Sequence, residues 1–380
     1  MIYLDNAATS WPKPQRVIDA MSRSLREGVG SPNRGTYRQS LAAGRVVDEA
    51  RMRLARLVHA PDPSRIIHCL NCTDALNIAI KGVLREGDHV ITTVLEHNSV
   101  SRPLAAMEQA GRITLSRLPM TARGTIDPDA VRAAVNRKTR LIAMIHASNV
   151  TGAVQPVGDV GRISRDHDLL FLLDAAQTMG LLAIDVEAMN VDLLAFPGHK
   201  SLLGPTGTGG LYVGSRANPM PWREGGTGGH SASAVQPEEY PTRLEVGTPN
   251  MVGIAGLNAA LDGLDPAAAW AHERRLVARL CDQIGVVPGV HVVGDWRPED
   301  CVGVLSLVFD DVAPEDAAAV LDQSSGICVR AGLQCAPYIH RALGTFPDGT
   351  VRLSPGPTTT DEEIDRAAAA IAEIASTPLI

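Results

Sequence analysis

Short apolar runs that end abruptly in polar residues constrain the fold of this chain more than any other feature. The clearest run, 169–173, stops at Asp174, and a second run, 191–196, leads to Lys200 and then to a glycine-rich segment, 204–210. Each run is too short for a helix, which is typical of a strand buried on both faces of a sheet. Because ligands of open α/β sheets bind at the carboxyl ends of strands, Asp174 and Lys200 are predicted to meet in one crevice.

Further strands are predicted along the chain, with helical segments between them. They lie at 2–4, 65–70, 89–94, 113–118, 141–145 and 209–214. The intervening segments carry apolar residues at helical spacing, as in the long amphipathic segment that begins at Ser40. This alternation predicts an α/β fold with a mostly parallel sheet and helices on both faces.

The pattern changes from about residue 257, where helices, short strands and Pro/Gly punctuation predict a smaller α+β domain. A chain of 380 residues is longer than most single domains. We therefore expect a large domain over 16–256, a small carboxyl-terminal domain over 257–380, and an amino-terminal segment, 1–15, that packs with the small domain. Thr360 and Glu363 have the spacing of a capping box and predict the start of the last helix.

Charge and composition favour a small-molecule partner over a nucleic acid or a membrane. The net charge is −7, the isoelectric point is about 5.9, and no basic run is present. No apolar run approaches membrane-spanning length, and the amino terminus lacks the pattern of a signal peptide. Six scattered cysteines do not resemble a disulfide framework. A reducing compartment, the cytoplasm, is the expected location.

One turn of the predicted sheet is open to more than one interpretation. Cys69 and Cys72 have the CxxC spacing of some metal sites, but no second pair accompanies them, so no metal site is expected. Thr73 begins a predicted helix, where its hydroxyl and the free backbone N–H groups could bind a phosphate. It could also simply cap the helix, and these residues alone favour the cap.

Eight motifs, taken together and in order, resemble those of the fold-type I pyridoxal-phosphate enzymes of the class V aminotransferase group, and within it the cysteine desulfurases and selenocysteine lyases. The motifs lie at 3–9, 96–98, 148–152, 174–177, 198–200, 204–207, 247–250 and 330–335. The resemblance covers nearly the whole chain. It implies a large domain with a mostly parallel seven-stranded sheet flanked by helices, a smaller α+β carboxyl-terminal domain that carries a catalytic cysteine loop, and pyridoxal 5'-phosphate as cofactor.

The resemblance also implies roles for individual residues. Lys200 resembles the lysine that binds the cofactor as a Schiff base, and Asp174 resembles the carboxylate that pairs with the pyridine nitrogen. Such a charge-assisted bond keeps the ring protonated and makes it a better electron sink. Gln177 resembles the partner of the ring hydroxyl, and His97 the imidazole that stacks on the ring. The motifs assign cofactor binding to Cys72, Thr73, His97, Asp174, Gln177, His199, Lys200 and Thr248, and this replaces the interpretation of Thr73 as a cap.

Three residues are assigned to the substrate, and one to the partner subunit's site. Asn149, Arg330 and Arg352 resemble substrate-positioning residues, with Arg352 expected to fork onto the carboxylate of an amino acid. Thr248 resembles a phosphate ligand that is donated by the other subunit, which implies a homodimer.

Cys335 decides which reaction the resemblance implies. It ends an Arg-x-Gly-x-x-Cys segment that begins at Arg330. In cysteine desulfurases a loop cysteine of this type attacks the sulfur of cofactor-bound L-cysteine, which leaves L-alanine and an enzyme persulfide, and a thiolate near positive charge is the nucleophile. The expected catalytic residues are therefore Lys200, Cys335 and His97, and the expected partner is a protein that accepts the sulfur.

Three departures from the family pattern leave the substrate open. Pro197 stands where a Ser or Thr hydroxyl often binds the phosphate, Tyr37 stands near the position of a frequent histidine, and Leu333 with Gln334 replaces the usual histidine-rich residues before the cysteine. Another carbon–sulfur or carbon–selenium lyase of the same fold, or a specialised biosynthetic enzyme, is the alternative. A third hypothesis is a scaffold that binds a partner protein and needs no cofactor. The presence of Asp174, His97, Gln177 and Lys200 together argues against it.

Overall fold

The structure is a computed structural model, and it describes residues 1–28, 30–32, 35–229 and 231–376. Its strands are β1 (Ile2–Tyr3), β2 (Ile66–Cys69), β3 (Asp88–Thr93), β4 (Ile113–Leu118), β5 (Thr139–Ile145), β6 (Leu170–Asp174), β7 (Leu193–Pro197), β8 (Gly209–Val213), β9 (Val290–Val292), β10 (Leu305–Phe309), β11 (Ile327–Cys328) and β12 (Val351–Leu353). Its α-helices are α1 (Gln15–Glu27), α2 (Arg38–Leu57), α3 (Cys72–Val83), α4 (Asn98–Gln109), α5 (Pro128–Ala134), α6 (Val157–Asp166), α7 (Met251–Leu261), α8 (Pro266–Ile284), α9 (Pro314–Ser325), α10 (Pro337–Leu343) and α11 (Asp361–Ser376).

A seven-stranded sheet forms the centre of the structure, in the order β2-β8-β7-β6-β5-β3-β4. β8 runs antiparallel to both β2 and β7, and the remaining neighbours pair in parallel. The predicted mostly parallel sheet is therefore confirmed. Its arrangement brings the carboxyl ends of β2, β3, β5, β6 and β7 to one edge.

The continuous apolar runs have a direct explanation in the packing. Successive side chains of a strand point to opposite faces of the sheet. In β6, Phe171 and Leu173 belong to one hydrophobic cluster, and Leu170 and Leu172 belong to another. Helices cover both faces, so all five residues of β6 are buried. The strand therefore lacks the alternation of apolar and polar residues that a half-exposed strand shows.

The carboxyl-terminal part has its own hydrophobic cluster around the antiparallel sheet β12-β10-β9. Ile2 and Leu4 pack in this cluster, because β1 pairs in parallel with β11. The predicted capping box is confirmed: Thr360 Oγ1 accepts from the Glu363 N–H, and the Glu363 carboxylate accepts from the Thr360 N–H.

The predicted boundary between residues 256 and 257 falls inside α7, which is one continuous helix. This helix packs against α1 and α2 of the amino-terminal part. We still propose two domains, but we place the boundary between them in the loop between α7 and α8. Among the described residues, no helix combines the length and the apolar character needed to cross a bilayer.

Candidate active site

A cavity of about 190 Å³ lies at the carboxyl edge of the sheet. Polar and charged side chains from five strand ends and from the carboxyl-terminal loops converge on it. Ten of the residues singled out by the sequence line this cavity: Cys72, Thr73, His97, Asn149, Asp174, Gln177, His199, Lys200, Arg330 and Arg352. The crevice predicted from the ends of β6 and β7 is therefore confirmed.

Asp174 is the buried carboxylate of the cavity, with 2% of its surface exposed. Its Oδ1 accepts from the Ala176 N–H at 2.9 Å and from the Cys72 thiol at 3.5 Å. Its Oδ2 has no hydrogen-bond partner among the described residues. Burial raises the pKa of Asp174, and this effect outweighs the bond from the Ala176 N–H and the charge of Lys200, which both lower it.

Lys200 brings an amine with an unusual proton affinity into the same cavity. Burial lowers its pKa to about 8, and the positive charge of Arg352 adds to this effect. No described residue hydrogen-bonds its Nζ. Near neutral pH this amine is still mostly protonated, but its neutral fraction is far larger than that of an ordinary lysine, and the neutral amine is the nucleophilic form.

His97 is held at the start of α4 by Ser99, a residue that sequence reasoning missed. The His97 Nδ1 accepts from the Ser99 N–H at 3.1 Å and lies 2.9 Å from the Ser99 hydroxyl. Burial, aided by the charge of Lys200, lowers the pKa of His97 to about 4, so the ring is neutral near neutral pH. Because Nδ1 accepts from a backbone N–H, the proton of the neutral ring is on Nε2.

The start of α3 forms the part of the cavity suited to an anion. Asn71 caps this helix by accepting from the Asp74 N–H, so the interpretation of Thr73 as the cap is wrong. The N–H groups of Cys72 and Thr73 have no partner among the described residues. The Thr73 hydroxyl lies 2.7 Å from that of Ser99. Two hydroxyls and two free N–H groups are donors that bind a phosphate well.

The amino-terminal segment fixes two further residues of the cavity. The His199 Nδ1 lies 3.0 Å from Thr9 Oγ1, and the His199 carbonyl accepts from the Lys13 ammonium at 2.9 Å. Burial lowers the pKa of His199 to about 4. Gln177 donates through Nε2 to the Ala7 carbonyl at 3.2 Å.

Arg352, on β12, and Asn149, in the loop after β5, form one wall of the cavity. Arg352, 1% exposed, donates through Nη2 to Asp5 at 2.7 Å and through Nη1 to the Asn149 carbonyl at 3.1 Å. Its Nε and the Asn149 Oδ1 are buried and have no partner among the described residues. This wall therefore holds one buried donor and one buried acceptor that the described residues leave unsatisfied.

Cys335 is half-buried and lies beside this wall. The Arg330 Nη2 donates to its Sγ at 3.2 Å, which places a positive charge at the sulfur. The predicted pairing of this cysteine with Arg330 is thus present in the structure. Such an environment is typical of nucleophilic cysteines.

Two residues named by the sequence lie elsewhere. Thr248 is exposed and lines a separate cavity of about 480 Å³ together with His68 and Gly207. Tyr37 is 52% exposed and does not line the 190 Å³ cavity. Pro197 has no hydroxyl, but the Ser99 hydroxyl lines the same cavity. The role of Ser99 becomes visible only in the structure, through its contact with Thr73.

The CxxC pair consists of two buried thiols. Cys69 bonds weakly to the Ile67 carbonyl, and burial raises the pKa of Cys69 and of Cys72 well above the usual range. Within the part of the chain that the structure describes, no three His, Cys, Asp or Glu side chains form a potential metal site.

A second, much smaller cavity of about 20 Å³ is lined by Lys200, Gln177 and Glu273, a size that fits a single water molecule. Glu273, on α8, is 7% exposed, and its carboxyl group has no hydrogen bond or ion pair among the described residues. Gly303 makes room for it, since a Cβ there would lie 2.7 Å from the Cβ of Glu273. Burial raises the pKa of Glu273 to about 8.

Comparisons with known proteins agree over almost the full length of the chain. The family model for aminotransferase class-V matches residues 2–367. A probable cysteine desulfurase of Methanothermobacter thermautotrophicus is 34% identical over 98% of this chain and 94% of the relative, and a cysteine desulfurase of Salmonella agona is 31% identical over 98% and 93%. The apo structure of a cysteine desulfurase from Thermococcus onnurineus has a TM-score of 0.92 at 30% identity and covers 98% of this chain and 94% of that one. The cysteine desulfurase CsdA of Escherichia coli has a TM-score of 0.87 at 29% identity, with the same coverage. These similarities confirm the predicted fold class.

The state of Glu273 predicts a particular dependence of stability on pH. Below its ordinary pKa of 4.5, this carboxyl is protonated in both the folded and the unfolded chain. Between 4.5 and about 8 the unfolded chain releases the proton while the folded chain retains it, so the free energy of unfolding falls as the pH rises. The side chain in the Glu273→Gln variant has no proton to lose. We therefore expect its free energy of unfolding, measured with a denaturant, to fall less than that of the parent between pH 4.5 and about 8. The exposed Glu86→Gln variant is the control, and an unchanged fall for Glu273→Gln would contradict the assignment.

Proposed function

From the premise that the chain belongs to the aminotransferase class-V family, we propose that it is a pyridoxal-phosphate-dependent cysteine desulfurase. The enzyme converts L-cysteine to L-alanine and keeps the sulfur as a persulfide on Cys335. The observation that carries the proposal is the placement of the Cys335 thiol, beside the Arg330 guanidinium, next to a cavity that contains Asp174 and Lys200.

The donors and acceptors of the cavity fit this cofactor. The unpaired Oδ2 of Asp174 would bind the ring nitrogen, and the raised pKa of this carboxyl is what a cationic ring would reverse. The free N–H groups at the start of α3, with the hydroxyls of Thr73 and Ser99 and the ring of His199, would hold the phosphate. His97 and Gln177 would flank the ring, and Lys200 would hold the cofactor covalently. When bound, the cofactor supplies an electron sink for the amino acid, which makes loss of the Cα proton and cleavage of the Cβ–S bond feasible.

The residues of this chain bind the substrate and move its protons. Arg352 offers its free Nε–H to the carboxylate of the amino acid, and the free Oδ1 of Asn149 can accept a hydrogen bond from an N–H of the bound ligand. Lys200, with a pKa near 8, can take and return a proton at Nζ close to neutral pH. His97, neutral and protonated on Nε2, can donate a hydrogen bond into the cavity but is not a strong base.

The sulfur transfer balances without an external oxidant or reductant. The Cys335 Sγ, as thiolate, attacks the sulfur of the substrate, so that an S–S bond forms while the Cβ–S bond breaks. The electron pair of the broken bond goes to the substrate carbon, which is protonated to yield alanine. The net change converts a Cys335 thiol and L-cysteine to a Cys335 persulfide and L-alanine. A protein thiol then accepts the terminal sulfur, and this chemistry requires a reducing compartment, for which we propose the cytoplasm.

We also propose that the active enzyme is a homodimer that shares its two sites. Thr248 is exposed and lies outside the cavity of its own chain. The phosphate region of that cavity has Pro197 in the place of a hydroxyl residue. A hydroxyl donated by Thr248 of a second copy would add a further donor to those of Thr73 and Ser99.

Replacement of Cys335 tests the reaction class. We expect Cys335→Ala to lose at least about 100-fold in alanine formation from L-cysteine, because the nucleophile is absent. It should keep its bound cofactor and the change in the visible spectrum on addition of cysteine. Cys328→Ala, which removes another half-buried thiol at the end of β11, should behave as the parent enzyme. Unchanged turnover in Cys335→Ala would instead indicate a lyase that needs no thiol nucleophile.

Mixed dimers test the shared site. Thr248→Ala alone should bind pyridoxal phosphate more weakly, because one phosphate donor is lost. A dimer of one Lys200→Ala chain with one Thr248→Ala chain should contain one complete site and one doubly defective site. We therefore expect one tightly bound cofactor per mixed dimer at limiting cofactor. If Thr248 served its own chain, mixing would not produce a complete site, and if it did not bind the phosphate at all, Thr248→Ala alone would bind the cofactor as tightly as the parent.

A further inference from the structure

Gln334, the residue immediately before the nucleophile, is 2% exposed and has both polar atoms of its side chain hydrogen-bonded. Its Nε2 donates to the Thr350 carbonyl at 2.9 Å and to the Arg330 carbonyl at 3.4 Å. Its Oε1 accepts from the His340 Nε2 at 3.0 Å and from the Thr350 hydroxyl at 3.1 Å. A buried amide with this many partners is held in one orientation.

The partners of Gln334 allow only one arrangement of protons. Burial lowers the pKa of His340 to about 4, so its ring is neutral near neutral pH. The ring donates through Nε2 to Gln334, and its Nδ1 accepts from the Thr345 hydroxyl at 2.8 Å. Because the Thr350 carbonyl can only accept, the amide of Gln334 cannot turn over without losing bonds on both sides.

The backbone at this point is in a conformation that L-residues rarely adopt. Gln334 has a φ of 42° and Cys335 a φ of 60°, two consecutive non-glycine residues in the left-handed region. Such a conformation persists only where the surroundings impose it. The bonds of the Gln334 side chain, together with the bond of the Asn98 N–H to the Cys335 carbonyl at 2.7 Å, provide that restraint.

The same residue is linked to the wall that faces the substrate. The Gln334 carbonyl accepts from the Asn149 Nδ2 at 2.8 Å, and the Asn149 carbonyl accepts from Arg352 at 3.1 Å. A continuous series of hydrogen bonds therefore joins Arg352 to the residue next to the thiol. Movement of Gln334 would alter the position of Cys335 relative to Arg352.

We propose that Gln334 is a positioning residue for the reaction: it holds Cys335 in a strained backbone conformation, with its thiol beside Arg330 and at a fixed distance from the substrate-binding wall. This inference rests on the proposed desulfurase activity. Gln334 lines the cavity, but the polar atoms of its side chain are bonded within the chain, so we assign it to the attack by the thiol and not to cofactor binding.

The test compares Gln334→Ala with Gln334→Met, which keeps most of the side-chain volume and removes the bonds. In both variants we expect the rate of persulfide formation in a single turnover to fall by about 10- to 100-fold, as for a misplaced reacting group. KM and the change in the visible spectrum on addition of cysteine should stay close to those of the parent, because the substrate still binds. In the resting proteins, hydrogen exchange of the amides at 331–336 should become faster.

Two other variants separate positioning from general loss of stability. Thr350→Val removes only the hydroxyl bonded to Gln334 and should give a smaller effect of the same kind. Gln155 is a matched control, since it is 4% exposed and equally bonded through its amide but does not line the cavity. Gln155→Ala should lower stability without slowing sulfur transfer.

The outcomes are distinguishable from failure of the proposed function. If Gln334→Met and Thr350→Val transfer sulfur at the parent rate, or if Gln334→Met loses cofactor binding in proportion to its activity, the positioning role is wrong. If the parent protein forms no persulfide, the desulfurase proposal fails. Unchanged hydrogen exchange at 331–336 in the Gln334 variants would then overturn the structural restraint independently.

Discussion

The site depends on the burial of a carboxylate and an amine that have too few partners within the chain. Asp174 and Lys200 come from neighbouring parallel strands, so their position follows from the sheet itself. Burial raises the pKa of one and lowers the pKa of the other, and both shifts disfavour the charged form. A bound ring that carries a positive nitrogen and reacts with an amine would relieve both costs. The cavity is thus preorganised for such a ligand.

The two ends of the chain complete this cavity. Asp5 pairs with Arg352, although 347 residues separate them, and Ala7 accepts from Gln177. The pairing of β1 with β11 brings the amino-terminal segment beside the carboxyl-terminal sheet. Because the segment that carries Cys335 lies between β11 and β12, the proposed nucleophile and Arg352, the proposed substrate-binding residue, are held by the same short stretch of structure. On the proposed assignment, the residues for the cofactor and the residue that receives the sulfur therefore lie on different parts of the fold.

Much of this arrangement was predictable, and the missed parts have a common cause. Strands such as β6 were predictable because burial on both faces requires a continuous apolar run, and parallel order then placed Asp174 and Lys200 together. The roles of Asn71 as cap and of Ser99 as the partner of His97 depend on side-chain contacts that polar residues in loops make in many ways. The anchoring of Gln334 was hidden for the same reason, since its side-chain partners lie up to 16 residues away and the partner of its carbonyl, Asn149, lies 185 residues away. The spacing of apolar residues along the chain does not indicate the direction of β8, nor does it show that α7 continues past residue 256.

The central claim is that this cavity brings a cofactor-bound amino acid to the Cys335 thiol. The most direct measurement mixes the pyridoxal-phosphate-loaded protein with one equivalent of L-cysteine, follows the visible spectrum, and determines the mass of every cysteine-containing peptide. The account predicts a spectral change, one equivalent of alanine, and one additional sulfur atom on the peptide that contains Cys335. A spectral change followed by free sulfide or by sulfur on another cysteine, with Cys335 unmodified, would contradict it.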